Sequence, residues 1–173
     1  FDSYAAEGSA HIPIVFICLL LLVGLLDDVY NLSASLRFIT EVAIVGIYIW
    51  VTPEMIDSLH GLWQIGQIPY PIAVILSILA GVGIINSINL IDGIDGYSSG
   101  FGIISCSLLA ILFLTVGDWF WGGLLLIITA AIIPFFCYNV FSKRKKMFIG
   151  DGGTLMIGAI LTMAVFQLLS SES

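Results

Sequence analysis

The chain is a succession of long apolar runs separated by short breaks rich in polar residues, glycine and proline. The runs fall at about Ala10 to Leu26, Ala34 to Thr52, Pro69 to Ile91, Gly100 to Val116, Trp119 to Val140 and Thr154 to Leu169. Each is close to the roughly 17 to 25 residues that a helix needs to cross a hydrocarbon core. Alternation of period two is absent. Backbone groups in lipid have no water to bond, so runs of this kind close their hydrogen bonds internally as helices. The pattern predicts an all-α, polytopic membrane chain with six transmembrane helices, forming a single transmembrane domain over residues 1–173.

Composition removes the alternative of a soluble domain: 60% of the 173 residues are apolar and 10% charged, and the mean hydropathy is +1.12. Twelve acids against five Lys and Arg give a formal charge of −7, which excludes nucleic acid as a partner because phosphate backbones are bound by clustered cations. The placement of the charges says more than their sum. Six spans put the connectors 27–33, 92–99 and 141–153 on one face, and 53–68 with 117–118 on the other. All the cations, Arg37 with Lys143, Arg144, Lys145 and Lys146, then share the first face, which the positive-inside rule makes cytoplasmic, with both termini outside. Trp50, Trp63, Trp119 and Trp121 lie at the opposite end, as expected of an outer interfacial belt. Cys18, Cys106 and Cys137 lack CxxC spacing and read as packing residues. The chain opens at Phe1 rather than Met with no visible signal peptide, and it reads as a fragment, incomplete at both ends.

Asp27, Asp28, Asp92, Asp95 and Asp151 all fall on the cation-bearing face, close to the membrane interface where carboxylates are costly. Asp27-Asp28 ends the run VGLLDDVYNLS, where a helix C-terminus disfavours anions. The pair is either a solvated terminus or the site of a hard cation or a proton carrier. In NSINLIDGIDGYSSG, Asn86, Asn89, Asp92 and Asp95 recur every third residue and are expected to share one face of a helical turn. Gly93 and Gly96 then break the helix and let backbone approach a ligand, the alternative being a pair of Asx turns. Asp151 in GDGGT stands at the start of the last span and serves two readings, an N-cap or part of a ligand site. The amides behind it offer an anion site, beside a carboxylate suited to Mg²⁺. The basic run Lys143 to Lys146 is a topology signal, an attachment to anionic lipid, or an attractor of anionic substrate. Arg37 and Glu41, four apart, are expected to pair at the membrane surface. His11 and His60 lie on the opposite side, which leaves no imidazole near the acids.

Taken together these motifs resemble the polyprenyl-phosphate N-acetylhexosamine 1-phosphate transferases. Gly24 to Asp28 with Leu32 and Arg37-Phe38 is similar to the family's G-x-x-D-D stretch, Asn86 to Gly96 to its N-x-x-N-L-x-D-G-x-D-G, and Gly150 to Gly153 to its G-D-x-G. The wording NLIDGIDG is closer to the branch using UDP-N-acetylglucosamine or a related UDP-amino sugar than to the muramoyl-pentapeptide branch, where Thr usually replaces Ile91. The resemblance implies transfer of an N-acetylhexosamine 1-phosphate from a UDP-N-acetylhexosamine to polyprenyl (undecaprenyl) phosphate with release of UMP, on the cytoplasmic face of a bacterial cell membrane. It implies Mg²⁺ (with Mn²⁺ substituting) at Asn89 and Asp151, and Asn86, Asp92, Gly93, Asp95 and Gly150 at the nucleotide sugar. Asp27 and Asp28 would then be catalytic, orienting or deprotonating the attacking phosphate, and a homodimer is a candidate assembly. Family members carry further helices on both sides of this stretch and a histidine-bearing loop after G-D-x-G, and Gly153 stands where they often have Ser. Two other readings of the residues stay open: a transporter, whose acids would lie at mid-membrane rather than at one rim, and a non-catalytic scaffold with an acidic cytoplasmic rim.

Overall fold

The computed structural model describes residues 11–59, 61–64, 66–142 and 147–170, with the side chain of Trp63 left aside. His60 and the basic run Lys143 to Lys146 lie outside the described residues. Among the described residues the architecture is all-α, with six helices long and apolar enough to cross a membrane. They are α1 (His11–Tyr30), α2 (Ala34–Val51), α3 (Tyr70–Ile91), α4 (Tyr97–Val116), α5 (Trp119–Phe141) and α6 (Gly150–Leu169).

Local chemistry sets the helix ends. Ser33 caps α2 by accepting from the Leu36 amide at 3.3 Å, and Asp118 caps α5 by accepting from the Trp121 amide at 3.0 Å. Pro69 precedes α3, and Gly117 closes α4 in the left-handed conformation at φ +87°. Two ends differ from expectation. Helix α1 continues through Asp27 and Asp28 to Tyr30, so the paired acids belong to its last turn rather than to a connector. The dipole penalty is offset because Asp27 accepts from the Leu32 amide at 2.7 Å and meets Arg37 at 2.8 Å. Helix α6 starts at Gly150 instead of Thr154, and its N-cap is Ile149, which makes no side-chain cap bond; Asp151 therefore sits in the first turn and is not the N-cap.

Helix α6 is the centre of the bundle. Two thirds of its span, 67%, is buried, against 22% to 39% for the other five. It packs most closely on α1 and α3, while α5 rests mainly on α4. Small residues permit these contacts: a Cβ on Gly158 would lie 2.7 Å from the Ile85 Cα, and one on Gly81 would lie 2.8 Å from the Thr162 Cγ2. Thr162 also donates to the Gly81 carbonyl at 3.2 Å, a polar contact in an apolar seam. The remaining apolar surface, including Val15, Ile75, Ile104 and Ile127, is exposed and forms the outside of the spans.

The aromatic belt is only partly as expected. Trp50 and Trp119 are 81% and 76% exposed, but Trp121 is buried against Phe113 and Phe120, because it opens α5 on the side that meets α4. Of the cysteines, Cys106 is a core residue, whereas Cys18 and Cys137 are exposed on the outer surface and do not pack inside. His11 opens α1, at the end opposite the acids.

The connector between α2 and α3 folds back on this opposite end. Ser58 and Gln67 form an antiparallel bridge, Met55 and Ile56 are buried, and the Ile56 amide donates to Ser77 Oγ at 2.8 Å. Burial pushes the Glu54 carboxyl above the usual carboxylate range; a hydrogen bond from Tyr48 lowers it and the nearby Asp118 raises it. A raised folded-state value means that Glu54 stabilises the fold fully below the ordinary carboxylate pKa, and that this contribution is lost as pH rises through the folded value. The melting temperature of the protein in detergent is expected to fall over that window, and Glu54→Gln is expected to flatten the fall.

Candidate functional site

The sequence motifs converge on the N-terminus of α6. Gly150 enters the helix at φ +79°, and three successive amides of its first turn point at carboxylates from other motifs. The Gly150 amide donates to Asp92 Oδ2 at 3.3 Å, that of Asp151 to Asp28 Oδ1 at 2.9 Å, and that of Gly152 to Asp28 Oδ2 at 3.0 Å. The anion site expected at these amides is thus filled by the protein's own side chains. The approach is close because three glycines line it. A Cβ on Gly24 would collide with the backbone of Asp151 and Gly152, one on Gly152 would lie 2.9 Å from Leu25 Cδ2, and one on Gly150 would lie 3.1 Å from Asp28 Oδ2.

Arg37 is the cation of the cluster. Its Nη1 reaches Asp27 Oδ2 at 2.8 Å and Asp151 Oδ1 at 3.4 Å, while its Nε lies 3.7 Å from Glu41 Oε1. The Arg37–Glu41 pair was expected at the surface, yet Glu41 is completely buried, because α2 turns that side toward α3. The other Glu41 oxygen accepts from Asn86 Nδ2, and Oε1 has no hydrogen-bond partner besides its ionic neighbour.

The four residues spaced by three in the second motif do not share one face. Each step of three turns a helix by about 300°, so the series drifts around α3. Asn86 points to Glu41, whereas Asn89 donates to Asp151 Oδ1 and, at 2.9 Å, to Thr154 Oγ1. Asp92 is the C-cap of α3, accepting from Ser98 Oγ and from the Gly150 amide. Asp95 is exposed in the turn beyond. Gly96 stands at φ +71°, where a Cβ would collide with Val140, so its need is turn geometry and packing rather than ligand approach. A Cβ on Gly93, by contrast, would meet nothing within 4 Å.

Asp28, Asn89, Asp92 and Asp151, with Gly93, Gly150 and Phe148, line an open polar cleft of about 270 Å³. Phe148 is 57% exposed there, and the segment leading to it is tied to α5 by Asn139, which donates to the Met147 carbonyl. A second cleft, of about 470 Å³, lies where α2 meets α3 and is lined by Ala34, Ser35, Arg37, Phe38, Ile39 and Asn86. Arg37 therefore lines the second cleft and bonds to Asp151, which lines the first. Phe148, the bond from Asn89 to Thr154, the burial of Glu41 and the central place of Arg37 are not evident from the sequence pattern. An arginine nine residues beyond an acid pair at a membrane rim was the signal available for Arg37; a lone phenylalanine before G-D-x-G carried none.

The donor set suits a hard divalent cation. The cleft offers carboxylate and amide oxygens with no thiol or imidazole. Among the described residues no three His, Cys, Asp or Glu side chains are grouped to hold an ion alone. A Mg²⁺ ion here would bind through one or two protein oxygens together with substrate phosphate and keep several waters. Both bonds to Asp151 fall on Oδ1, from Arg37 and Asn89, and the single Arg37 charge is shared with Asp27 and Glu41.

Residues 11–169 match the profile of glycosyl transferase family 4. The chain belongs to this family. Its similar family-4 proteins include a probable undecaprenyl-phosphate N-acetylglucosaminyl 1-phosphate transferase of Bacillus subtilis, 33% identical over 155 residues, covering 87% of this chain and 41% of the relative. The undecaprenyl-phosphate alpha-N-acetylglucosaminyl 1-phosphate transferase of Escherichia coli K12 is 30% identical over 168 residues, 91% of this chain and 43% of that protein. A phospho-N-acetylmuramoyl-pentapeptide-transferase of Staphylococcus carnosus is 28% identical over 163 residues, covering 85% and 50%. The family-4 chain described here thus spans half or less of the length of these relatives, and with its six apolar helices it is a bacterial-type multi-pass membrane protein.

Proposed function

We propose that the whole protein transfers N-acetylglucosamine 1-phosphate from UDP-N-acetylglucosamine to undecaprenyl phosphate, releasing UMP and starting a lipid-linked envelope glycan. The observation that carries this is the meeting of three separated motifs around one polar cleft, with Arg37 of a second cleft bonded to Asp151 of the first. An oxygen of the lipid phosphate forms a bond to the sugar-linked phosphorus as the bond from that phosphorus to UMP breaks. The attacking monoester has a second pKa near 6 and is already largely dianionic at neutral pH, so the step needs charge compensation more than a strong base. Asp151 and Asn89 would hold a Mg²⁺ or Mn²⁺ ion, which would supply that compensation at the pyrophosphate.

The chain's own residues divide the remaining tasks. Asp92, Gly93 and Gly150 border the space for the nucleotide sugar, Asp95 is assigned to it from the turn just beyond although it does not line the cleft, and the exposed ring of Phe148 offers a face on which a uracil can stack. Asn86, expected at the nucleotide, lines the other cleft and is assigned to the acceptor side. There Arg37 meets the lipid phosphate between apolar Phe38 and Ile39, and Asp27 fixes the guanidinium that does so.

Radiolabelled transfer from UDP-N-acetylglucosamine to undecaprenyl phosphate by the full-length protein tests the reading. Solute movement without labelled lipid would replace it by a transporter. Asp92→Asn and Asp95→Asn are each expected to cut transfer at least about tenfold while membrane insertion is kept; equal activity in mutant and parent would remove the pocket assignment. The active rim is proposed to be cytoplasmic, from the sidedness of the cations. Cysteines at Gln67, exposed on one end, and at Ser142, on the other, are then expected to label from opposite sides of the membrane with an impermeant maleimide. Ser58 would be unsuitable because it is buried.

A further inference from the structure

The paired acids at the end of α1 are engaged differently, and neither stands as an unattached base. Asp27 is 6% exposed and bound to the Leu32 amide and to Arg37. Asp28 is exposed, yet both of its oxygens are taken by backbone: Oδ1 by the Asp151 amide and Oδ2 by the Gly152 amide. Helix α6 has no side-chain cap of its own, since Ile149 occupies the N-cap and offers no acceptor. Two of the orphan donors that every helix start leaves are therefore satisfied from another helix, by a full negative charge lying on the positive end of the α6 dipole.

We infer that Asp28 is a positioning residue: a cap supplied by α1 that fixes the first turn of α6 and so aims the Asp151 side chain into the cleft. The glycines support this as a built joint. Gly24 stands one turn before Asp28 and admits no Cβ against the Asp151 and Gly152 backbone, and Gly152 and Gly150 keep the same interface thin. The spacing of four between Gly24 and Asp28 puts the close contact and the capping carboxylate on one face of α1. The glycines of the first and third motifs thus serve one contact, and the Asp151 amide held by Asp28 belongs to the residue whose side chain meets Arg37 and Asn89.

This rests on the transferase reading for the role of Asp151, and the test separates the two. Asp28→Asn keeps an acceptor for one of the two amides and removes the charge, whereas Asp28→Ala removes both acceptors and the charge. In full-length protein three quantities are compared with the parent: the melting temperature, Mn²⁺ affinity by electron paramagnetic resonance, and transfer. Asp28→Ala is expected to melt lower, and to weaken Mn²⁺ binding and transfer by about 10- to 100-fold, the range for a group that orients a ligand. Asp28→Asn, which leaves one amide without an acceptor, is expected to fall between Asp28→Ala and the parent in all three, its loss of transfer tracking its loss of melting temperature. The inference is overturned if Asp28→Asn melts like the parent but transfers as poorly as Asp28→Ala, since the charge itself would then do chemistry, or if Asp28→Ala matches the parent throughout. Should the parent neither bind Mn²⁺ nor transfer sugar phosphate, the transferase reading falls, and the melting temperatures of the two variants still decide the cap.

Discussion

Replacing Asp151 by Ala in the full-length protein is expected to lower transfer by about a thousandfold, roughly 4 kcal/mol of barrier, with little loss of fold. The size follows from the proposed role. A carboxylate that holds a cation on a pyrophosphate acts where two anions meet in the transition state, and such groups contribute several kcal/mol. The fold should survive because Asp151 caps nothing: the N-cap is Ile149, and the Asp151 side chain remains 32% exposed. A helix cap lost at this position would instead cost about 1 kcal/mol of stability and leave most of the activity. Transfer and Mg²⁺-dependent nucleotide binding, measured together, distinguish these outcomes. Retention of more than about a tenth of parental transfer, under roughly 1.4 kcal/mol, would count against the metal role.

Arg37→Ala is expected to destabilise the protein by about 3 kcal/mol or more, in addition to abolishing transfer. Its side chain is 22% exposed and lies among Asp27 at 6% and Glu41 at 0%. Removing the guanidinium leaves two buried carboxylates without a cation, and an uncompensated buried charge costs far more than a surface pair is worth. Glu41→Gln in the Arg37→Ala background should recover part of the stability, because the amide keeps an acceptor for Asn86 and sheds the charge. It should not recover transfer, since nothing then meets the acceptor phosphate. Thermal unfolding in detergent of the single and double variants checks the first expectation, and the radiolabel assay the second. A single variant as stable as the parent would mean that Asp27 and Glu41 find water or another donor.

The six helices were legible in the sequence because lipid enforces one solution on any long apolar run, and the runs needed no knowledge of their neighbours. Their ends were less so. Helix α1 outlasts its apolar stretch only because a residue of α2 compensates Asp27, and α6 begins early because α1 and the α3–α4 turn supply its acceptors. Such ends depend on distant partners, which local patterns do not contain. The acids of the site were likewise found by their cost at a membrane rim, whereas their arrangement was not: a spacing of three suggested one face, and the drift of the helix sent Asn86 to Glu41 and Asn89 to Asp151. Trp121 shows the same limit from the opposite direction. Its position at a helix start fits a belt, but contact with Phe113 makes it core.

The burial of α6 bears on how the protein is made. Chains emerge from the ribosome N-terminus first, and early segments begin to associate before later ones exist. Until α6 follows, the Gly81 and Ile85 side of α3 and the Gly24 side of α1 are without the helix they pack against. Only then do Asp28 and Asp92 acquire the amides they bind. Until the segment 150–169 is present, the acids at that end of α1 and α3 lack the amides that order them.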